Sequence, residues 1–360
     1  MKKVTALLLA LSMVFTMAAC GSKSEPAPSA PAASGNAPAA SAPAAEKTYD
    51  KPEFKLQIGH SDPTTNLAHV SLENYAAWVK EQTKGRVEIT IYAAEQLGSN
   101  AEMGEMIEMG SLYGMLCPQG QVATYAEKML AVGLPFLFPS YEAAWAVLDT
   151  ETDLGKELVA ELENRNMIGL AYWENGLRQT TNSVRPINQP SDLNGLKIRT
   201  PEDALTLATF NALGASPSPL AFAELYLALQ QGTFDGQENP ISNIHSSNFA
   251  DVQKYLAMTN HKYECKVMIV SKTMFEKLPA EVQDVLREGS LMFADEHRQA
   301  ITGAADQMLQ ELKDKGMEVT TPDTSVFQAA TEVVYTDFYA QYDWAKDLVA
   351  KMQAKIAEVA

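Results

Sequence analysis

Short runs that alternate apolar and polar positions are interleaved with longer runs at helical spacing over most of this chain. Residues 54–59 and 87–92 alternate, Val87-Glu88-Ile89-Thr90-Ile91-Tyr92 most cleanly, and predict strands. Between them, 67–84 repeats its apolar positions at helical spacing and stops before Gly85, which predicts an amphipathic helix. A methionine-rich helix is expected over 101–109 and a strand over 113–117. The apolar turn Leu134-Pro135-Phe136-Leu137-Phe138 leads into one long expected helix, 141–166, and a strand, 167–173, then runs toward Arg178. Another strand is expected at 196–199, with Thr200 capping a helix whose first turn holds Pro201 and Asp203. Further on come a helix over 221–231, a strand and turn over 233–240 and a buried strand over 265–270. From 279 onward the pattern is almost wholly helical, broken near Gly316 and Pro322. Short strands alternating with helices imply an α/β layered sheet. No repeat of 20 to 50 residues is visible.

Ahead of residue 54 the pattern is different. Lys2 and Lys3 precede an apolar run, 4–15, too short for a comfortable membrane span, and small residues lead to Cys20. This predicts an export signal over 1–19. Met17-Ala18-Ala19-Cys20 resembles a lipobox, with Met17 where leucine is usual; in that reading Cys20 is lipidated and becomes the mature N-terminus. Residues 20–51 are then a tether, dominated after Cys20 by Ala, Pro and Ser, that buries too little apolar surface to fold. The folded remainder is larger than one compact core usually holds, so two lobes are expected. Loss of Lys2 and Lys3 with the leader takes the 28 basic residues to 26 against 45 acidic ones, and the net charge from −17 to −19. No basic stripe is present to neutralise phosphates, which argues against nucleic acid. An anionic ligand must therefore be captured by a local positive pocket, against the field of the whole protein. Cys117 and Cys265 lack zinc or redox spacing and read as two buried free thiols.

The candidate chemistry centres on two arginines 21 positions apart, Arg178 and Arg199, each at the end of a strand-like run. Guanidinium is the side chain best suited to clamp a carboxylate through two parallel charge-assisted hydrogen bonds. The nearest acids in sequence, Glu174 and Glu202, are not obviously placed to pair with them, so a bound organic anion is a natural partner. Arg199 also lies just before an expected helix N-terminus, a second source of positive potential. Both arginines are expected to wait in an open, wet cleft and to add little stability. His60 begins a turn after the first strand, at the edge of an α/β sheet where ligands sit, and is a candidate polar contact. Trp173, Phe222 and Tyr172 are candidates for an apolar wall. Met103, Met106 and Met109 recur at helical spacing and read as packing. Gly-x-Ser-x-Gly, His-Glu-x-x-His, a glycine-rich phosphate loop and Cys-x-x-Cys are all missing from the sequence, and the five histidines have no metal spacing. The chemistry expected is that of a carrier, with no catalytic residue, metal or cofactor.

Six motifs in order carry a family resemblance: Glu95-Gln96-Leu97-Gly98, Leu134-Pro135-Phe136-Leu137-Phe138, Leu177-Arg178-Gln179-Thr180-Thr181-Asn182-Ser183, Gly195-Leu196-Lys197-Ile198-Arg199, Glu224-Leu225-Tyr226-Leu227-Ala228-Leu229-Gln230 and Asp235-Gly236-Gln237-Glu238-Asn239-Pro240. From about Phe54 to the C-terminus the chain resembles the extracytoplasmic solute-binding subunits of TRAP transporters, of the dicarboxylate- and sialic-acid-binding kind. The resemblance implies a periplasmic-binding-protein-like architecture, two α/β lobes with a ligand cleft between them and long C-terminal helices. Lobe I is expected over 52–176 with 265–304, and lobe II over 177–264 with 305–360. It further implies that Arg199 makes the main salt bridge to a ligand carboxylate, that Arg178 assists, and that Asn239 and Phe222 contribute. His60-Ser61 stands where the family has no constant signature. The implied partners are a small organic acid (a dicarboxylate, keto acid or sugar acid), TRAP membrane permease subunits, and a membrane reached through the lipid on Cys20, outside the cytoplasm. A sensor lobe serving a membrane signalling protein and an enzyme acting on an organic acid are the rival readings.

Overall fold

The computed structural model describes residues 48–359; Cys20, the expected leader and nearly all of the tether lie outside the described residues. Nine strands form one mixed sheet in the order β2-β1-β3-β8-β4-β7-β5-β6, with β9 joining β8. The strands are β1 (Phe54–Gly59), β2 (Val87–Tyr92), β3 (Gly114–Pro118), β4 (Met167–Asn182), β5 (Lys197–Thr200), β6 (Ser216–Pro219), β7 (Gly236–Pro240), β8 (Tyr255–Ser271) and β9 (Glu318–Thr320).

Two parallel blocks stand at opposite ends of this sheet. β1 pairs in parallel with β2 and β3, and β5 pairs in parallel with β6 and β7. Between the blocks run β4 and β8, antiparallel to each other and long enough to serve both. At about 3.4 Å per residue, the 17 residues of β8 extend nearly 60 Å. The C-terminal part of β8 pairs with β3, Gly114 opposite Val270, while the C-terminal part of β4 pairs with β7, Arg178 opposite Pro240. The β4–β8 ladder shifts register between Glu174 and Gly176. Gly176 takes φ +128, and a Cβ there would lie 3.1 Å from the Cβ of Pro240 and 3.3 Å from the Tyr141 hydroxyl. A side chain has neither the room nor the dihedral at this point.

Each block packs on its own apolar residues. Leu56, Ile58, Leu72, Trp173, Met268 and Phe275 belong to one cluster, whereas Ile187, Leu196, Ile198 and Phe210 belong to another. The 35-residue helix Ala280–Asp314 lies against the first helix, Leu67–Gln82, and along β4. Cys117 and Cys265 are both buried and free.

Several elements depart from the expectations drawn from sequence. Residues 141–166 are not one helix. They divide into Tyr141–Val147, Asp153–Val159 and the 3-10 turn Ala160–Arg165. Thr152 caps the second helix through the Gly155 amide, and Gly155 sits so close to Asp149 that a Cβ would fall 1.8 Å from that carbonyl oxygen. The helix after β5 begins at Ala204 and not behind a Thr200 cap. Asp203 is its N-cap and accepts from Leu205 N at 2.9 Å and Thr206 N at 3.2 Å. Thr200 remains the last residue of β5. The strand expected over 167–173 continues to Asn182, and the one over 265–270 begins at Tyr255.

Candidate functional site

The parallel strands all deliver loops to one cavity of about 690 Å³, counted with its open mouth. Ser61 and Asp62 follow β1, Glu95 follows β2, and Gly120 and Gln121 follow β3. Pro201 follows β5, Phe222 follows β6, and Asn239 with Asn243 marks the end of β7. The crossing strands supply Asn175 and Arg178 from β4, and Glu264 and Lys266 from β8. Space beyond the carboxyl ends of parallel strands is where α/β sheets hold ligands. Here two such sets of ends meet across one cavity.

Arg199 is 3% exposed and stands on β5. Its Nε donates to the Leu220 carbonyl at 2.9 Å, and one Nη2 hydrogen reaches the same oxygen. A guanidinium carries five N–H donors, so both Nη1 hydrogens and one on Nη2 have no protein acceptor among the described residues. The Nη1–Nη2 edge has the form of a carboxylate fork. Phe222 lies under the group, its ring centre 5.8 Å from Cζ. Burial pulls the Arg199 pKa down to about 10, against the opposing pull of Glu238. This cation is almost wholly buried and has no acidic partner within 4 Å among the described residues.

The expectation of an open, wet position is corrected for both arginines, but Arg178 is built differently from Arg199 and is also paired. It is buried at 2% exposure and pairs through Nε with Glu238 and through Nη1 with Glu264. Its Nη2 donates to the Glu238 carbonyl at 2.7 Å, to Glu238 Oε1 at 2.7 Å and to Asn239 Oδ1 at 3.2 Å. Burial opposes its charge, but Glu238 and Glu264 outweigh that and hold its pKa above the ordinary arginine value. Burial would likewise raise Glu238, yet Arg178 and His261 bring it down to about 2. The chain of pairs continues from Glu264 to Lys262 at 3.3 Å, and from Lys262 to Asp203, the helix cap. One Nη1 hydrogen of Arg178, which lines the cavity, has no protein acceptor among the described residues.

A second buried pair joins Asp62, after β1, to Lys266 on β8. Burial raises the Asp62 pKa, but Lys266 and His60 together more than reverse this and leave it below the usual carboxylate range. Glu95 also reaches the wall, where burial raises its pKa above the usual value.

Arg199, Arg178, Asn239 and Phe222 are thus brought together at the cavity, while His60 and Trp173 are not. His60 is fully buried behind Asp62, with Nε2 3.1 Å from Nδ1 of His69, so Ser61 and Asp62 meet the cavity in its place. Trp173 is fully buried in the apolar cluster with Ala171 and Met268, its ring 5.7 Å from that of His297 on the Ala280–Asp314 helix. Tyr172 is buried in another core cluster and bonds the Gly155 carbonyl at 2.7 Å. Sequence reasoning passed over Asp62, Glu238, Glu264 and Lys266. A signal existed for the last two: Lys262, Glu264 and Lys266 recur at a period of two ahead of an apolar run, which puts three charges on one face of a strand.

Residues 58–342 match the family described as bacterial extracellular solute-binding protein, family 7. The chain is 36% identical over 279 residues to the uncharacterized protein y4mM of Sinorhizobium fredii, covering 78% of this chain but about half of that relative, 51%. It is 32% identical over 266 residues to the 2,3-diketo-L-gulonate-binding periplasmic protein YiaO of Escherichia coli, covering 74% of this chain and 80% of YiaO. A crystal structure of a TRAP periplasmic solute-binding protein from Polaromonas, bound to D-erythronate, superposes with a TM-score of 0.80 at 33% identity, over 84% of this chain and 98% of that one. The chain belongs to bacterial extracellular solute-binding protein family 7 and is a solute-binding receptor, not an enzyme.

Proposed function

We propose that this receptor captures a small organic acid by its carboxylate on Arg199, encloses it between two lobes, and delivers it to the membrane permease subunits of a TRAP-type transporter. The observation that carries the reading is the Arg199 guanidinium, buried at the cavity wall with a fork-shaped edge and no acid partner among the described residues. Arg178 assists with its one remaining N–H, and Phe222 and Asn239 complete the grip. The names of the relatives agree, since one binds 2,3-diketo-L-gulonate and another holds D-erythronate. The lobes divide where β4 and β8 cross, near Gly176 and Glu264, with a third crossing near Ala305. Hinge closure about these points excludes water, and the ion pair strengthens as the local dielectric falls. Cys20 carries a lipid that anchors the body outside the cytoplasm.

The test is calorimetric titration with the acid retained through native purification and identified by mass spectrometry. Removing one member of a desolvated hydrogen-bonded charge pair costs about 2–5 kcal/mol. At about 1.4 kcal/mol per tenfold, Arg199→Ala loses between one and four orders of magnitude in affinity. Arg199→Lys keeps the charge but not the fork, and also binds substantially more weakly. If Arg199→Ala bound like wild type, the carboxylate assignment would be wrong.

A further inference from the structure

The cavity wall has one uncommitted positive charge and an excess of acids. Its three cations are Arg178, Arg199 and Lys266. Arg178 is held by Glu238 and Glu264, and Lys266 by Asp62, so two of the three are neutralised before any ligand arrives. Against them the wall presents four acids, Asp62, Glu95, Glu202 and Glu264. The remaining polar side chains are amides and hydroxyls, among them Ser61, Gln121, Asn175, Asn239 and Asn243. A carboxylate on the wall accepts hydrogen bonds and donates none, whereas an amide does both. Such a surface suits ligand hydroxyl groups, which donate to the acids and accept from the amides. It repels a second ligand carboxylate, which accepts only and would meet carboxylates with no free cation to offset them.

Resting on the organic-acid reading above, we infer that the ligand is a hydroxylated monocarboxylic acid of the aldonate or uronate class, and that Asp62 excludes dicarboxylates by holding Lys266. Arg199 takes the single carboxylate, and two parallel N–H bonds satisfy it. The rest of the ligand is read by hydroxyl contacts to the acids and amides. Asp62 is well placed for this exclusion, because it is 2% exposed and comes from the β1 loop, while Lys266 comes from β8 on the crossing ladder. Were Lys266 unpaired, the cavity would hold two free cations and would suit a dicarboxylate.

The experiment uses twin acids that differ only in whether the far end is CH₂OH or carboxylate: D-erythronate against meso-tartrate, and D-galactonate against galactarate. Each is titrated calorimetrically into the ligand-stripped protein. The monocarboxylate is expected to bind at least 100-fold more tightly than its twin in whichever pair binds. In Asp62→Asn, which releases Lys266, that ratio is expected to shift at least tenfold toward the dicarboxylate. A twin dicarboxylate that binds wild type as tightly as the monocarboxylate overturns the inference, and this comparison requires no variant to fold. An unchanged ratio in a folded Asp62→Asn protein overturns the role of Asp62. If dicarboxylates win and Arg199→Ala still abolishes their binding, the organic-acid receptor stands and only the monoanion inference fails. If neither pair binds, the natively retained ligand decides: a hydroxylated monoacid supports the inference, a diacid overturns it, and a solute without a carboxylate overturns both readings.

Discussion

Arg178→Ala should unfold this protein early, and its effect should grow with pH. The substitution leaves Glu238 and Glu264 buried without the cation that pairs with both. Breaking such a pair costs about 3–5 kcal/mol. With unfolding entropy near 2.1 cal/mol/K per residue, a body of about 310 residues has ΔS of roughly 0.65 kcal/mol/K, so Tm should fall by about 5–8 °C. The pH dependence follows from Glu238. In wild type its pKa lies at about 2, below the ordinary value. Its ionised form is therefore favoured by folding, and that stability is fully present above the unfolded pKa and lost as pH falls toward 2. Without Arg178, burial dominates, the pKa rises, and the sign reverses: stability is then lost as pH increases. The gap between wild type and Arg178→Ala should be smaller at pH 5 than at pH 8, and Glu238→Gln added to Arg178→Met should recover part of it. Arg199→Ala is the control. Removing a desolvated, acid-free cation should leave the ligand-free Tm unchanged or slightly higher. Thermal and urea unfolding at the two pH values measure all four proteins. If Arg178→Ala melts within about 1 °C of wild type at both, the buried network does not hold this fold together.

Three further outcomes are expected. Burial lifts the Glu174 pKa to about 7, with Oε1 unpartnered and Oε2 bonded by Trp145 at 2.7 Å, while burial holds His297 down to about 3. Glu174 therefore stabilises the fold most below pH 4.5 and loses this as pH rises to about 7; His297 stabilises above pH 6.5 and loses this as pH falls to about 3. Each contributes a slope of about 1.4 kcal/mol per pH unit. The two offset between pH 4.5 and 6.5, so Glu174→Gln should expose a loss of stability on acidification that wild type conceals, as urea unfolding across that window will tell. Gly176→Ala, at φ +128 and against Pro240, should cost about 1–3 kcal/mol in chemical denaturation; no loss would remove the claim that the crossing needs glycine. Cys20→Ala should free the protein from the membrane fraction with ligand affinity intact, and a mutant still membrane-bound after a high-salt wash would exclude the lipid anchor.

Local pattern carried the strands β1, β2 and β3 and the helices flanking them, because alternation and helical spacing are properties of adjacent residues. It also placed Arg199, Asn239 and Phe222 on strand ends or helix starts that do converge. It could not reveal that Arg178 is paired. Glu238 is 60 positions away and Glu264 is 86, and both come to Arg178 only through the antiparallel registers of β4 with β7 and β8. The edge strand β6, Ser-Pro-Ser-Pro, was illegible because two of its four residues are prolines with no ladder donor. Trp173 and His60 were misplaced for one reason: a residue type suited to a cleft says nothing about which face of its strand, or which side of its turn, it occupies.

The two arginines look alike in sequence, and the neighbours of their strands divide their roles. Arg178 sits on a crossing strand whose flanking strands β7 and β8 both carry glutamates, Glu238 and Glu264, within reach. Arg199 sits on β5, where the residues in register are Ser218 on β6 and Gln237 on β7, both neutral. Burial makes the charge of both groups costly, but only the first is compensated by the protein itself. In an acidic chain of net charge −17, an arginine buried without an acid partner sits where the surrounding field would most favour one. Withholding an acid from that one position, while pairing the neighbouring cations, leaves Arg199 free for the single external carboxylate proposed above.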